Sequence, residues 1–272
     1  MAIDRRSQTG PFDIIGDVHG CTDELLELLH RLGYDVTLSG RPGACKVESR
    51  TPPGRRAIFV GDLVDRGPRT PDALRIVMHM VDAGQGFCVP GNHDDKFRRW
   101  LLGRKVKLAH GLETSVAQMQ EESDAFKAQV TEFLSRLDTH LWLDDGALVV
   151  AHAGISQEHI GKPSGKERHF CLYGDTTGER DEHGLPIRYN WAAEYHGTAA
   201  IVYGHTPIPE PLWLNNTLCI DTGCVFGGSL TALRWPEREI VTINAQRAYA
   251  RKIRPFAYPP NRPGAGAPQS QS

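Results

Sequence analysis

Short apolar runs alternate with helical periodicity along the first third of the chain. "FDIIG" (12–16) reads as a buried strand. "TDELLELLHRLG" (22–33) sets leucines at 25, 28, 29 and 32, the spacing of one helix face, with Thr22 as a cap and Gly33 as a stop. "AIFVG" (57–61) is again strand-like, and Thr70-Pro71 opens the helical "PDALRIVMHMVDAG" with proline at the first helical position. "GFCVPG" (86–91) is a third strand. This alternation predicts an α/β fold with parallel strands covered by helices.

Residues 95–143 read as mainly helical and predict an insertion, or cap, beside the sheet. Strand patterns return at 147–154, 199–205, 217–223, 229–235 and 239–245, the last three close enough to be antiparallel neighbours. Two segments read as irregular: 36–56, rich in Gly, Pro and Arg, and the polar stretch 156–190, a length typical of functional or disordered loops. One domain is expected over 1–253. The tail 254–272, "RPFAYPPNRPGAGAPQSQS", has too little apolar surface to fold and is expected to be disordered.

Composition narrows the class. The 272 residues are 40% hydrophobic and 24% charged, ordinary for a soluble protein with ample core. A net charge of −2 gives no global attraction to nucleic acid or membrane. No apolar run of about 18 residues is present to span a bilayer, and the N-terminus lacks a signal-like apolar segment, so a cytoplasmic location is expected. The six cysteines form no C-x-x-C pair and read as reduced thiols.

The candidate chemistry lies where apolar runs end. "FDIIG" leads to Asp17-Val18-His19-Gly20, "AIFVG" to Asp62, Asp65 and Arg66, and "FCVPG" to Asn92-His93-Asp94. "LVVA" leads to His152 and "IVYG" to His205. Carboxyl ends of strands in open α/β sheets form the crevice where ligands bind, so five such ends would gather these groups. Two divalent cations roughly 3.5–4 Å apart need a bridging carboxylate and O or N donors on each side. Asp62, in the central motif, is the natural bridge. Asp17 and His19, two residues apart, can reach one ion, while Asn92, His152 and His205 can complete the second. With no thiolate in the set, manganese, iron or zinc is favoured, nickel being possible. A water bridging such ions ionises near neutral pH and becomes a nucleophile.

Arg66 offers a planar fork to phosphate oxygens. His93 is placed to protonate a leaving oxygen, with Asp65 orienting it. Arg188, in the polar stretch, is a second candidate phosphate clamp. The basic cluster Arg98, Arg99, Arg104, Lys105 and Lys107 is either a polyanion track or, more often for such clusters, a solvated helix face. His79 reads as packed or solvated, and so does His110, which stands before "GLET" and could instead approach the cleft.

"GDVHG", "GDLVDRG", "GNHD", "AHAG" and "YGHTP", in that order over 16–207, resemble the signature of the metallophosphoesterases, in the branch shared with phosphoprotein phosphatases. "HGLET", "LYGDTTGERDEHGLPIRYNW", "YGHTPIPEPLWLNNT" and "IDTGCVFGGSLTALRWPERE" extend the resemblance to the bacterial PrpE-type phosphatases, a group with diadenosine tetraphosphate hydrolases and the phosphatase module of polynucleotide kinase–phosphatase. The resemblance spans most of 12–245. It implies a two-sheet β-sandwich flanked by helices. It also implies metal ligation by Asp17, His19, Asp62, Asn92, His152 and His205, and a His93–Asp65 acid pair. Arg66 would bind phosphate, and Asp221 would lie at the rim of the site. Nucleotide or polynucleotide phosphates lead as substrates, with a protein serine/threonine phosphatase as the alternative. A non-catalytic metal-binding adaptor of the same fold would be expected to lack some of these groups. No G-x-x-x-x-G-K-[ST] loop occurs, so a kinase module is not expected in this chain.

Overall fold

Strands whose apolar residues run continuously, without alternation, must be covered on both faces. The computed structural model describes residues 3–40 and 45–262, and it shows how this is done. Among them, Phe12–Ile15, Arg56–Phe59 and Gly86–Cys88 pair in parallel, with Ser229–Trp235 antiparallel beside Phe12–Ile15. Asp221–Thr222 and Glu239–Asn244 both pair with Ser229–Trp235. A second sheet runs in the order Trp213–Leu214, Thr217–Cys219, Ala200–Tyr203, Leu148–Ala151, His140–Leu143. Phe12, Ile14, Ile58, Leu148, Val150 and Val202 interdigitate between the two sheets.

Successive residues of one strand serve opposite layers. Ile14 enters the inter-sheet core, while Ile15 packs with Leu25, Leu28 and Leu29 of the helix Thr22–Arg31. Val149 and Ala151 likewise face outward, onto Cys171 and Tyr195. The result is a helix–sheet–sheet–helix stack, the sandwich that the motifs imply.

Several boundaries differ from expectation. Residues 95–143 contain the end of the helix Asn92–Leu101 and the helices Leu112–Gln120 and Asp124–Arg136. Their last stretch, His140–Leu143, is a strand of the second sheet. Phe97, Leu112, Met119, Val130 and Phe133 join the core under the first sheet, so these helices extend the covering layer. The stretch read as irregular at 36–56 holds the hairpin Asp35–Ser39/Lys46–Arg50. The polar stretch 156–190 holds the helix Gly165–Tyr173 and the hairpin Thr176–Arg180/Pro186–Arg188. The expected antiparallel neighbours hold for Asp221–Thr222, Ser229–Trp235 and Glu239–Asn244, while Thr217–Cys219, the first part of the stretch 217–223, runs parallel to Ala200–Tyr203.

The tail read as disordered begins at 254, and residues 254–262 are held by named contacts. Arg254 pairs with Asp181 at 2.7 Å, Pro260 O accepts from Asn190 N at 2.8 Å, and Arg262 pairs with Asp175. Residues 263–272 lie outside the described residues. No helix among the described residues is long and apolar enough to cross a membrane.

Ile58 is fully buried between the sheets. Ile58→Ala is expected to lower unfolding stability by about 2–5 kcal/mol, read from urea melts of the metal-free chain. A loss below about 1 kcal/mol would mean that the inter-sheet core can collapse around the gap.

Candidate metal centre

Strand ends from both sheets open onto one cavity. Asp17 and His19 follow Phe12–Ile15, while Asp62, Asp65 and Arg66 follow Arg56–Phe59. His152 and His205 follow Leu148–Ala151 and Ala200–Tyr203 of the second sheet. The helix after Gly86–Cys88 begins at Asn92, earlier than its periodicity indicated, so Asn92 and His93 form its first turn.

The loops are tightly wound. His19, Asp62, Asp65, Arg66 and His205 have φ of 44°, 47°, 75°, 70° and 74°. Non-glycine residues seldom adopt this left-handed region, and such strain gathers at functional sites. Two glycines permit the close approach: a Cβ on Gly91 would lie 2.0 Å from Asp62 Oδ1, and one on Gly204 would lie 1.9 Å from Asp17 Oδ1. Asp94 ties the second and third loops, accepting from Leu63 N at 2.9 Å and Gly91 N at 2.8 Å.

Asp62 stands between two sets of histidines. His19 Nδ1 donates to Val64 O at 2.7 Å, so its Nε2 lone pair faces Asp62 Oδ2 at 3.5 Å. His152 Nδ1 donates to Val60 O at 3.0 Å. Its Nε2 then lies 3.4 Å from Asp62 Oδ1, 3.1 Å from Asn92 Oδ1 and 3.0 Å from His205 Nδ1. Backbone carbonyls thus fix both tautomers with a lone pair toward the centre. The ligand atoms of His19, Asp62 and His93 lie within 4.8 Å of one another, as do those of Asp62, His152 and His205. Asp17 accepts from His205 N at 3.1 Å, which seats it beside the second set.

Electrostatics indicate what such a set lacks. Burial, then Asp221 and Asp62, raises the Asp17 carboxyl well above its ordinary value. Burial also pushes Asp62, Asp94 and Asp221 up to about 7. It holds His19, His93 and His205 well below the ordinary histidine value and His152 at about 4. Neutral imidazoles beside carboxylates that resist ionising are suited to a divalent cation, which would favour the ionised carboxylates without protonating the rings. His205 Nε2 is buried without a hydrogen-bond partner among the described residues. The mixed O/N donor set therefore fits divalent metal.

His93 Nδ1 lies 2.6 Å from Asp65 Oδ2. Burial pushes Asp65 up to about 8 and holds His93 well below the ordinary histidine value. Arg66 reaches across the opening, with Nη1 2.5 Å from His19 Nε2 and Nη2 2.8 Å from His93 Nε2. The cavity above these groups measures about 840 Å³. Asp221 and Arg188 both line it, Arg188 Nε donating to Tyr173 O at 3.2 Å. Burial, then Arg254, lowers Arg188 to about 10.

The basic cluster 98–107 does not line this cavity, and Arg98 pairs with Asp95 at 3.1 Å. Lys96, Arg180, Arg251, Lys252 and Arg254 line it instead, as does His110. Asp94 received no role from the sequence, although it stands inside "GNHD".

Residues 10–209 match the family described as calcineurin-like phosphoesterase. A bis(5'-nucleosyl)-tetraphosphatase PrpE [asymmetrical] of Anoxybacillus flavithermus is 47% identical over 254 residues, covering 90% of this chain and 99% of that protein. The protein of the same name from Bacillus subtilis is 46% identical over 242 residues, covering 88% and 96%. Among solved structures, one provisionally described as a diadenosine tetraphosphatase superposes with a TM-score of 0.62 at 23% identity, covering 90% of this chain and 99% of its own. A Saccharomyces cerevisiae serine/threonine phosphatase gives 0.58 at 12% identity, covering 90% and 83%. These structures share the fold.

Gly91→Ala is expected to displace Asp62, lowering bound divalent metal measured by elemental analysis and cutting turnover by roughly 10²-fold, with far-UV circular dichroism unchanged. Full metal content and turnover would show that the loop yields and that the close approach is dispensable.

Proposed function

Because the chain belongs to the calcineurin-like phosphoesterase family, we propose that it hydrolyses a phosphoanhydride of a dinucleoside tetraphosphate at a centre of two divalent ions, manganese by preference. Asymmetric cleavage adds water across one P–O bond and yields a nucleoside triphosphate and a nucleoside monophosphate. The observation that carries this reading is Asp62, whose Oδ2 faces His19 Nε2 at 3.5 Å and whose Oδ1 faces His152 Nε2 at 3.4 Å, with His205 beside the latter. A single buried carboxylate in two donor sets is the arrangement a bridged pair of ions requires. Names of relatives nearly half identical over almost the whole chain support the nucleotide substrate.

His19 and Asp17 would hold one ion, Asn92, His152 and His205 the other, with Asp62 serving both. When bound, the ions supply Lewis acidity and the means to ionise an attacking water at neutral pH. The protein's own groups do the rest. Arg66 turns from the two histidines toward substrate and spans two phosphate oxygens with its fork. That movement frees His93 Nε2 to carry a proton. His93 then protonates the leaving phosphate oxygen, while Asp65 holds Nδ1 and stabilises the imidazolium that precedes transfer. Arg188 and Asp221 face the same cavity, Arg188 as a clamp for a more distant phosphate. The cytoplasm remains the expected location, and the domain is proposed to extend through 253.

Chelation is expected to abolish hydrolysis and manganese to restore it. Elemental analysis should give two ions per chain, and Asp62→Ala should lose more metal than His19→Ala or His205→Ala. Turnover by the stripped chain, or one ion at full activity, would overturn the binuclear reading.

His93→Ala should keep its metal and lose roughly 10²–10⁴-fold in rate with poor leaving groups, and less with nitrophenyl phosphate. Equal losses on both substrates together with lost metal would make His93 a ligand. For substrate, diadenosine tetraphosphate should exceed a 3′-phosphate oligonucleotide and a serine phosphopeptide in kcat/KM by about tenfold or more. A preference for the phosphopeptide would point to the protein phosphatase.

A further inference from the structure

The last described stretch of chain forms one side of the cavity. Lys252, Arg254, Phe256, Tyr258 and Pro260 all line it, together with His19, Asp62, Asn92 and His205. A cavity of about 840 Å³ is in the range used for whole small-molecule ligands, and it is larger than a phosphoryl group alone requires.

The stretch is anchored at several points. Arg254 pairs with Asp181 of the Thr176–Arg180/Pro186–Arg188 hairpin turn, and Tyr258 Oη donates to Glu210 O at 2.9 Å. Pro260 O accepts from Asn190 N, and Arg262 pairs with Asp175. Phe256 packs edge-on against Phe226, with ring centres 6.3 Å apart, and Lys252 Nζ sits 4.3 Å above its ring. Tyr258 differs from Phe256: its hydroxyl is held, yet the residue is 45% exposed. A partly exposed ring held by its hydroxyl among the residues lining the cavity can serve as a stacking surface.

We propose that the segment 251–260 carries a nucleoside subsite, in which the ring of Tyr258 stacks on a nucleobase while Lys252, Arg254 and Arg188 face the phosphate chain between base and metal centre. This rests on the nucleotide reading above and adds where the base is held. The chemistry matches the ligand class: an aromatic face receives a base irrespective of its hydrogen-bonding pattern, and flanking cations compensate a polyphosphate. A serine phosphopeptide carries no nucleobase of its own, so it would not by its nature use this surface.

The test is calorimetric binding to the metal-loaded full chain, comparing a methylene-bridged ATP analogue with inorganic tripolyphosphate. The wild type is expected to bind the nucleotide on the order of tenfold more tightly. Tyr258→Ala should erase that preference while leaving tripolyphosphate affinity as it was, which also reports an intact cavity. Tyr258→Phe, which keeps the ring and removes the tether to Glu210, should retain the preference. Absence of the preference in the wild type, its survival in Tyr258→Ala, or equal loss in Tyr258→Phe would each overturn the subsite. The hydrolysis panel separates the two readings. Cleavage of diadenosine tetraphosphate without a Tyr258-dependent preference sinks the subsite alone. A Tyr258-dependent preference in a chain that favours phosphopeptide sinks the substrate assignment alone.

Discussion

Crowding buried carboxylates is the constraint from which this architecture follows. Asp17, Asp62 and Asp221 lie within electrostatic reach of one another, each almost shut off from water. Left alone, such a group would take up protons or push its members apart. Here the backbone forbids separation. Asp17 is pinned by His205 N and Asp62 by His93 N, while the glycines at 91 and 204 press against those same carboxylates. Imidazoles whose second nitrogens are committed to Val60 and Val64 carbonyls complete a cradle organised for positive charge.

Much of this was legible in the sequence because motif and strand end coincide. Each ligand type follows an apolar run, and a strand's carboxyl end can deliver it to only one side of the sheet. The same reading failed where the local pattern was ambiguous. Asp35–Ser39 and Lys46–Arg50 alternate exposed and half-buried positions, so "DVTLS" and "KVESR" lack the continuous apolar signal used elsewhere. "HLWL" at 140–143 follows a helix closely and was absorbed into it. Asp94 was invisible as a brace because its partners are backbone amides of Leu63 and Gly91, which carry no residue-specific signature.

Clustering of charge along the chain did not point to the cavity. Of the conspicuous cluster at 98–107, Arg98 and Arg99 lie on the helix Asn92–Leu101 and the rest beyond its end, with Arg98 on Asp95 and Asp95 also bonded to Arg168. The cations that reach the cavity are dispersed at 66, 96, 180, 188, 251, 252 and 254. Sequence proximity concentrates charge on a surface, whereas folding concentrates it in a cleft. Only the second is strengthened by low-dielectric walls.

The division of ligands between the sheets has a mechanical consequence. His19 and Asp62 descend from one sheet, His152 and His205 from the other, so an ion held as proposed by Asp62 with the latter pair would be a rivet across the sandwich. Its binding energy would add to the cohesion between layers that the apolar inter-sheet core and the His152–Val60 and His205–Asp17 hydrogen bonds already join. By mass action, an ion at a thousand times its dissociation constant adds about 4 kcal/mol to the folded state. Metal supply would then govern how long the molecule persists in a cell as well as how fast it turns over. A starved population would be cleared by proteolysis before it accumulated as idle enzyme.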